Sequence, residues 1–125
     1  MVEKINLPKA IEAIADHWDP HVAGRVNGTD VRVAKIEGTF DWHKHRGEAE
    51  AFFILKGEMA LEFRSHTVAM EPGDFIVVPP DTDHRPVARK ECWIMLIEAA
   101  GVLNTGDNQS SDKTRSTLKS LGGGA

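Results

Sequence analysis

One cysteine in 125 residues leaves no partner for an internal disulfide, so nothing in the chain asks for an oxidising compartment. That residue, Cys92, lies in the apolar run ECWIMLIE, where it is expected to pack rather than react. Basic runs are also lacking, and the formal charge is −4. A nucleic-acid partner ordinarily needs a basic patch, so none is expected. Long apolar stretches are missing as well. The opening MVEKINLPKAIEAIADHW scatters acids among its apolar residues, which fits neither a signal peptide nor a membrane span. The expectation is a cytoplasmic protein without membrane contact. No GxSxG, P-loop, Rossmann glycine pattern or CxxC pair occurs, which sets those chemistries aside. No internal repeat is present.

What remains is an ordinary soluble composition, 41% hydrophobic and 27% charged, in a length that suits one domain with its own core. Residues 7–18 read as a short helix: Pro8 suits a first turn, and Ile11, Ile14, Ala15 and Trp18 recur at helical spacing as a packing face. Asp19-Pro20 should end it. Asn27-Gly28 reads as a tight turn and Val31–Ile36 as a strand.

Short strands then follow one another at Ala51–Leu55, Met59–Phe63, Thr67–Met70, Phe75–Val78 and Trp93–Ile97, with turn residues between them. This punctuation predicts an all-β sandwich or barrel, and no alternating helices suggest a parallel sheet. Met59, Leu61 and Phe63 alternate with wetter residues, whereas AFFIL, FIVV and WIMLI are apolar on both faces. Their outer sides need a cover, and a homodimer is the expected source. Residues 1–21 form an N-terminal helical segment, and 22–103 the barrel. Residues 104–125 form a polar tail with only Leu118, Leu121 and Ala125 as apolar residues. Such a segment is expected to be mostly mobile, although its first part has the option of folding back.

The chemistry concentrates in WHKHRGEAEAFFILKG, residues 42–57. His43 and His45 are two apart, so in a strand they share a face. With a nearby carboxylate they make a partial coordination sphere for a divalent transition metal, and His84 is the candidate for a further ligand. A solvated polar strand end is the plain alternative for HxH alone. Glu50 fits the carboxylate better than Glu48. It shares its strand face with Phe52 and Ile54, and an inward carboxylate is costly unless paired or bound to metal. Trp42, Arg46, Glu48, Asp83 and Arg85 flank the ligands. Arg46 or Arg85 would suit an anionic group, but each reads first as a surface charge. His17, His21 and His66 have no partner pattern and are not expected as ligands. Phe52, with Trp93 or Met95, is expected to pack in or line the barrel.

These blocks resemble the two signatures of the cupin superfamily, in particular its small single-domain members of the conserved-barrel type. Gly38, His43, His45, Glu50 and Gly57 match the first signature, with four residues between His45 and Glu50 and six between Glu50 and Gly57. Gly73, Pro79 and His84 match the second. Three positions depart from the pattern: Gly38 stands one residue nearer to His43 than usual, Asp81 replaces a glycine, and Ala88 replaces an asparagine. None removes a ligand. The resemblance implies a double-stranded β-helix, that is, a jelly-roll barrel, preceded here by the short helix. It also implies that His43, His45, Glu50 and His84 bind one divalent metal inside it. Three imidazoles and a carboxylate suit Fe, Mn, Ni, Co, Cu or Zn without choosing among them. Small cupins of this type often carry names derived from sugar-phosphate isomerases, yet fold does not settle reaction type. A metal-dependent enzyme (dioxygenase, isomerase, decarboxylase or lyase) acting on a small molecule is the leading expectation. A non-catalytic metabolite- or metal-binding sensor module is the alternative, and a purely structural cluster ranks last.

Overall fold

The structure is a computed structural model and describes residues 2–121. Its one helix, α1 (Leu7–Glu12), is capped by the Asn6 side chain, which accepts from the Lys9 amide at 3.1 Å, and carries Pro8 in its first turn. The helix is shorter than the 7–18 expected. Ile11 and Ile14 do pack inward, but Ala15 is exposed and Trp18 takes φ +59, a left-handed conformation that no helix continues through.

Eight strands follow: β1 (His21–Val26), β2 (Thr29–Thr39), β3 (Glu50–Lys56), β4 (Met59–Phe63), β5 (Thr67–Met70), β6 (Phe75–Val78), β7 (His84–Ala99) and β8 (Lys119–Ser120). Their order is β5-β4-β7-β2-β1-β8, with β3 paired to β7 and β6. The long β7 organises the barrel. Along one edge it pairs with β2 for nearly its whole length. Its first residues pair on the other edge with β4, from Phe63 opposite His84 to Ala60 opposite Val87. Its later residues pair there with β3, where Glu50 lies opposite Glu98. Register shifts between Ile36 and Gly38 and between Ile54 and Lys56 mark where the strands bend to turn this corner. Gly57 sits at that bend with φ +81, and a Cβ there would lie 2.7 Å from the Glu91 carbonyl oxygen. Only glycine fits so close a crossing.

Alternation on the pleat decides what faces inside. Ala34, Ile36, Phe52, Ile54, Met59, Leu61, Ile94 and Leu96 form the interior cluster. Trp93 and Met95 point the other way and pack against Ile11, Ile14 and Val33, so the packing role holds and the alternative of lining the barrel does not. Glu98 is turned inward, so parity along β7 sends Leu96 and Ile94 in and Trp93, Met95 and Ile97 out. The helix therefore covers the outer face of WIMLI. The outer face of FIVV stays open, with Phe75 57% and Val77 52% exposed.

Residues 104–121 lie along the barrel, unlike the mostly mobile tail expected; residues 122–125 fall outside the described residues. Polar contacts hold the segment in place. The Asp107 amide donates to the Lys44 carbonyl and the Lys44 amide to Asp107 Oδ1, at 3.0 and 2.9 Å. Ser111 bonds Asp41, Arg115 and Lys119 approach Asp19, and β8 adds a parallel pair to β1. At Gly106 the crossing is so tight that a Cβ would stand 2.3 Å from the Lys44 oxygen and 3.2 Å from the His43 ring. Hydrogen bonds with few apolar contacts anchor this strap, which explains why an apolar count overlooks it.

Candidate metal centre

His43 and His45 lie on the segment between β2 and β3, Glu50 opens β3, and His84 opens β7. A reciprocal backbone pair, His43 N–H to His84 O at 3.1 Å and His84 N–H to His43 O at 2.9 Å, brings the two distant stretches together. One donor atom from each of the four residues falls within 4.8 Å of the others. All four side chains are buried, His84 completely. Glu50 Oε1 is the meeting point, 3.1 Å from His45 Nε2 and 3.2 Å from His84 Nε2.

Carbonyl groups behind the rings fix their orientation. His43 Nδ1 donates to the Asp41 oxygen at 2.9 Å and His84 Nδ1 to the Thr82 oxygen at 2.8 Å. A neutral imidazole has a single N–H, so these bonds leave Nε2 as a lone pair aimed into the cluster. The His84 lone pair then faces the Glu50 oxygen, an arrangement that is repulsive unless a cation lies between them. Carbonyl-oriented imidazoles are the usual backing of metal ligands. The donor set therefore fits a divalent transition metal.

Burial and the neighbouring His84 push the His43 pKa down to about 4. For Glu50, burial acts to raise the pKa, but the His45 and His84 nitrogens close beside it outweigh this and hold the carboxyl well below the usual range. Glu98 behaves oppositely: burial, then the Glu50 charge beside it, drives its pKa well up, against the pull of Arg32.

Glu98, Arg32 and Asp30 form a second buried polar cluster that the sequence reading missed. Arg32 bonds Asp30 through Nε and Nη2 at 3.2 and 3.0 Å, donates from Nη1 to the Val102 oxygen at 2.9 Å, and lies 3.2 Å from Glu98 Oε1. That last contact is misaligned for a hydrogen bond, and both Glu98 oxygens lack a partner. A signal was present. Asp30 and Arg32 share a strand face with Ala34 and Ile36, so alternation placed both charges inside.

The other flanking residues lie elsewhere. Glu48 is exposed and outside the cluster. Arg46 is exposed beside Asp107 at 3.9 Å. Arg85 pairs with Glu62 at 2.7 Å and Arg64 lies near Asp83 at 3.6 Å, with both guanidiniums against the Trp42 ring. His17 bonds Glu91, His21 the Asp19 oxygen, and His66 stacks on Phe63, so none joins the centre. Two openings reach the cluster. One is a narrow, largely apolar cavity reaching His43 and Glu50. The other is a polar cleft under the strap, lined by His45, Arg46, Glu48 and Asp107.

Comparison with known proteins agrees with this architecture. The cupin domain family matches residues 29–97, more than half of the chain. The chain is a cupin. A cupin-2 domain protein from Shewanella frigidimarina superposes with a TM-score of 0.74 at 33% identity, covering 76% of this cupin and 93% of its own chain. Protein NMB1881 from Neisseria meningitidis gives 0.71 at 31% identity, covering 78% and 100%. The uncharacterised protein YdbB of Bacillus subtilis is 36% identical over 61 residues, 48% of this cupin and 54% of YdbB. The match thus spans about half the length of that curated relative. No helix among the described residues is long and apolar enough to cross a membrane.

Proposed function

We propose that this cupin is a metal-dependent enzyme that binds one divalent transition metal through His43, His45, Glu50 and His84 and acts on a small molecule beside it. One observation carries the reading: a carboxylate buried among three imidazoles, with no lysine or arginine against it among the described residues, at the wall of a cavity. A purely structural cluster would have no use for that cavity. The chain's own part is orientation and exclusion of water. Asp41 and Thr82 carbonyls hold two rings in place, and the apolar wall keeps the donors in a low-dielectric setting. A divalent ion held there would supply a Lewis acid to polarise a substrate oxygen. Dioxygenase, isomerase, decarboxylase and lyase chemistry all use that property. The test is a panel of small oxygenated metabolites with Fe(II)-, Mn(II)- or Ni(II)-loaded protein, read as oxygen uptake and product formation. Turnover by wild type and none by His84→Ala supports the enzyme; tight binding without turnover would establish a sensor module instead.

A homodimer through β6 is part of the proposal. Among the described residues this strand pairs only with β3, and it leaves Phe75 and Val77 exposed on its outer face. Sedimentation should give twice the 13.8 kDa chain mass, and Phe75→Glu should return the monomer. A buried, unpaired Cys92 thiol, its pKa raised by burial to about 11, fits a cytoplasmic setting.

A further inference from the structure

The segment that carries His43 and His45 lies outside the eight strands, and the His43–His84 bridge is its one sheet-like pairing among the described residues. The strap braces the rest of it, residue by residue. Ser111 bonds the Asp41 carboxylate, and the Asn108 side-chain amide donates to the Trp42 oxygen at 3.4 Å. Gly106 lies against Lys44 and the His43 ring, where a Cβ would clash. Asp107 takes both polar groups of the Lys44 backbone. Its amide donates to the Lys44 oxygen at 3.0 Å, and its Oδ1 accepts from the Lys44 amide at 2.9 Å. Lys44 stands between the two histidines, so fixing its peptide groups fixes how both side chains are presented.

The donors differ in how much they need this support. His43 and His84 are oriented through Nδ1 by the Asp41 and Thr82 carbonyls. His45 Nδ1 is buried and has no partner among the described residues. With no carbonyl behind the ring, its placement comes from the backbone on either side. On one side Asp81 donates its amide to the His45 oxygen at 3.0 Å and accepts from the Gly47 amide at 3.3 Å. On the other side the support is Asp107, which lies beyond the residues 29–97 that match the family. A segment held mainly by polar contacts can open while the barrel stays folded.

We propose that the strap is a clamp on the metal ligands: Asp107 is a positioning residue that holds His43 and His45 through Lys44, so that strap docking and metal binding strengthen one another. The proposal rests on the metal-centre reading above. Whatever factor docking adds to metal affinity, metal must add to docking. Partners behind the ligands are worth 10- to 100-fold in metal affinity, which sets the factor at about tenfold or more.

Zinc(II) is a suitable probe. Asp107→Ala should weaken zinc binding at least about tenfold by calorimetry, with thermal unfolding of the metal-free protein moved by only a few degrees. Asp107→Asn, which keeps the acceptor, should restore most of that affinity. Gly106→Ala, which lifts the strap by a clash, should weaken zinc as Asp107→Ala does. Asp112→Ala changes an exposed strap residue paired with Lys113 and should bind zinc as wild type does. In the unsubstituted protein, zinc should slow exchange of the Asp107 amide, read by NMR, by about the same factor. Wild-type zinc affinity in Asp107→Ala and Gly106→Ala, or Asp107 amide exchange indifferent to bound zinc, would overturn the clamp and leave the metal centre standing. Failure of the unsubstituted protein to take up zinc would remove both.

Discussion

Two buried polar clusters share the inside of this barrel, and they differ in one respect. Asp30, Arg32 and Glu98 include their own cation, whereas His43, His45, Glu50 and His84 do not. The first holds its cation in place: the guanidinium satisfies Asp30 and caps the Val102 carbonyl at the root of the strap, with Glu98 beside it. The second is open: its carboxylate meets imidazole nitrogens whose lone pairs point at the same spot. A cluster that balances itself belongs to the fold. One that lacks a cation fits the metal proposed for it.

The largest effect should come from breaking the balanced cluster. Arg32→Met leaves Glu98 without its counter-ion and Asp30 with only the exposed Arg25, and removing one partner of a buried ion pair costs about 3–5 kcal/mol. Urea unfolding of the metal-free variant should show that loss; a drop below about 1 kcal/mol would mean the cluster is not structural.

The complementary change is Glu50→Gln. It should cost the metal-free protein less than half of the Arg32→Met loss, because no buried counter-ion is stranded. Metal affinity, however, should fall at least about 100-fold, since even partners behind the ligands are worth 10- to 100-fold. Calorimetric metal titration reads this, and unchanged affinity would separate Glu50 from the centre.

Smaller again is the pH dependence. The His43 pKa is pushed down from 6.5 to about 4 in the folded protein. Between those values the unfolded chain takes up a proton that the native state refuses, so stability rises with pH across that window, by up to a few kcal/mol. Glu98, with its raised pKa, acts in the opposite direction above the ordinary carboxylate range. The difference between wild type and His43→Gln isolates the histidine. The variant should lose the rise between about pH 4 and 6.5 in thermal unfolding of metal-free protein.

The contrast between clusters also marks how far the residues alone could be read. The convergence of four residues was legible from their pattern: two histidines two apart, Glu50 on the face of Phe52 and Ile54, and His84 after a proline turn. Strands β4, β5 and β6 were bounded correctly by their turn residues. Strand β1 was missed, since HVAGRV carries a glycine and an arginine and its last three residues are exposed. The first half of β7, HRPVARK, was missed for similar reasons. Its polar and proline residues read as loop, although Pro86 and Ala88 are buried. Charged residues were assumed to seek water, which hid Asp30, Arg32 and Glu98. Trp93 and Met95 pack as expected, but against the helix, because the inward Glu98 gives the barrel interior to Leu96 and Ile94. The strap was foreseen only as an option for the first part of the tail, because hydrogen bonds hold it and those leave little trace in an apolar pattern.

The most direct test is the metal content of protein purified without an affinity tag or added metal from cells grown in complete medium, measured by mass spectrometry beside His43→Ala. The account predicts close to one divalent transition metal ion per wild-type chain and almost none in the variant. Equal metal in the two proteins, or none in either after incubation with each candidate ion, would contradict it.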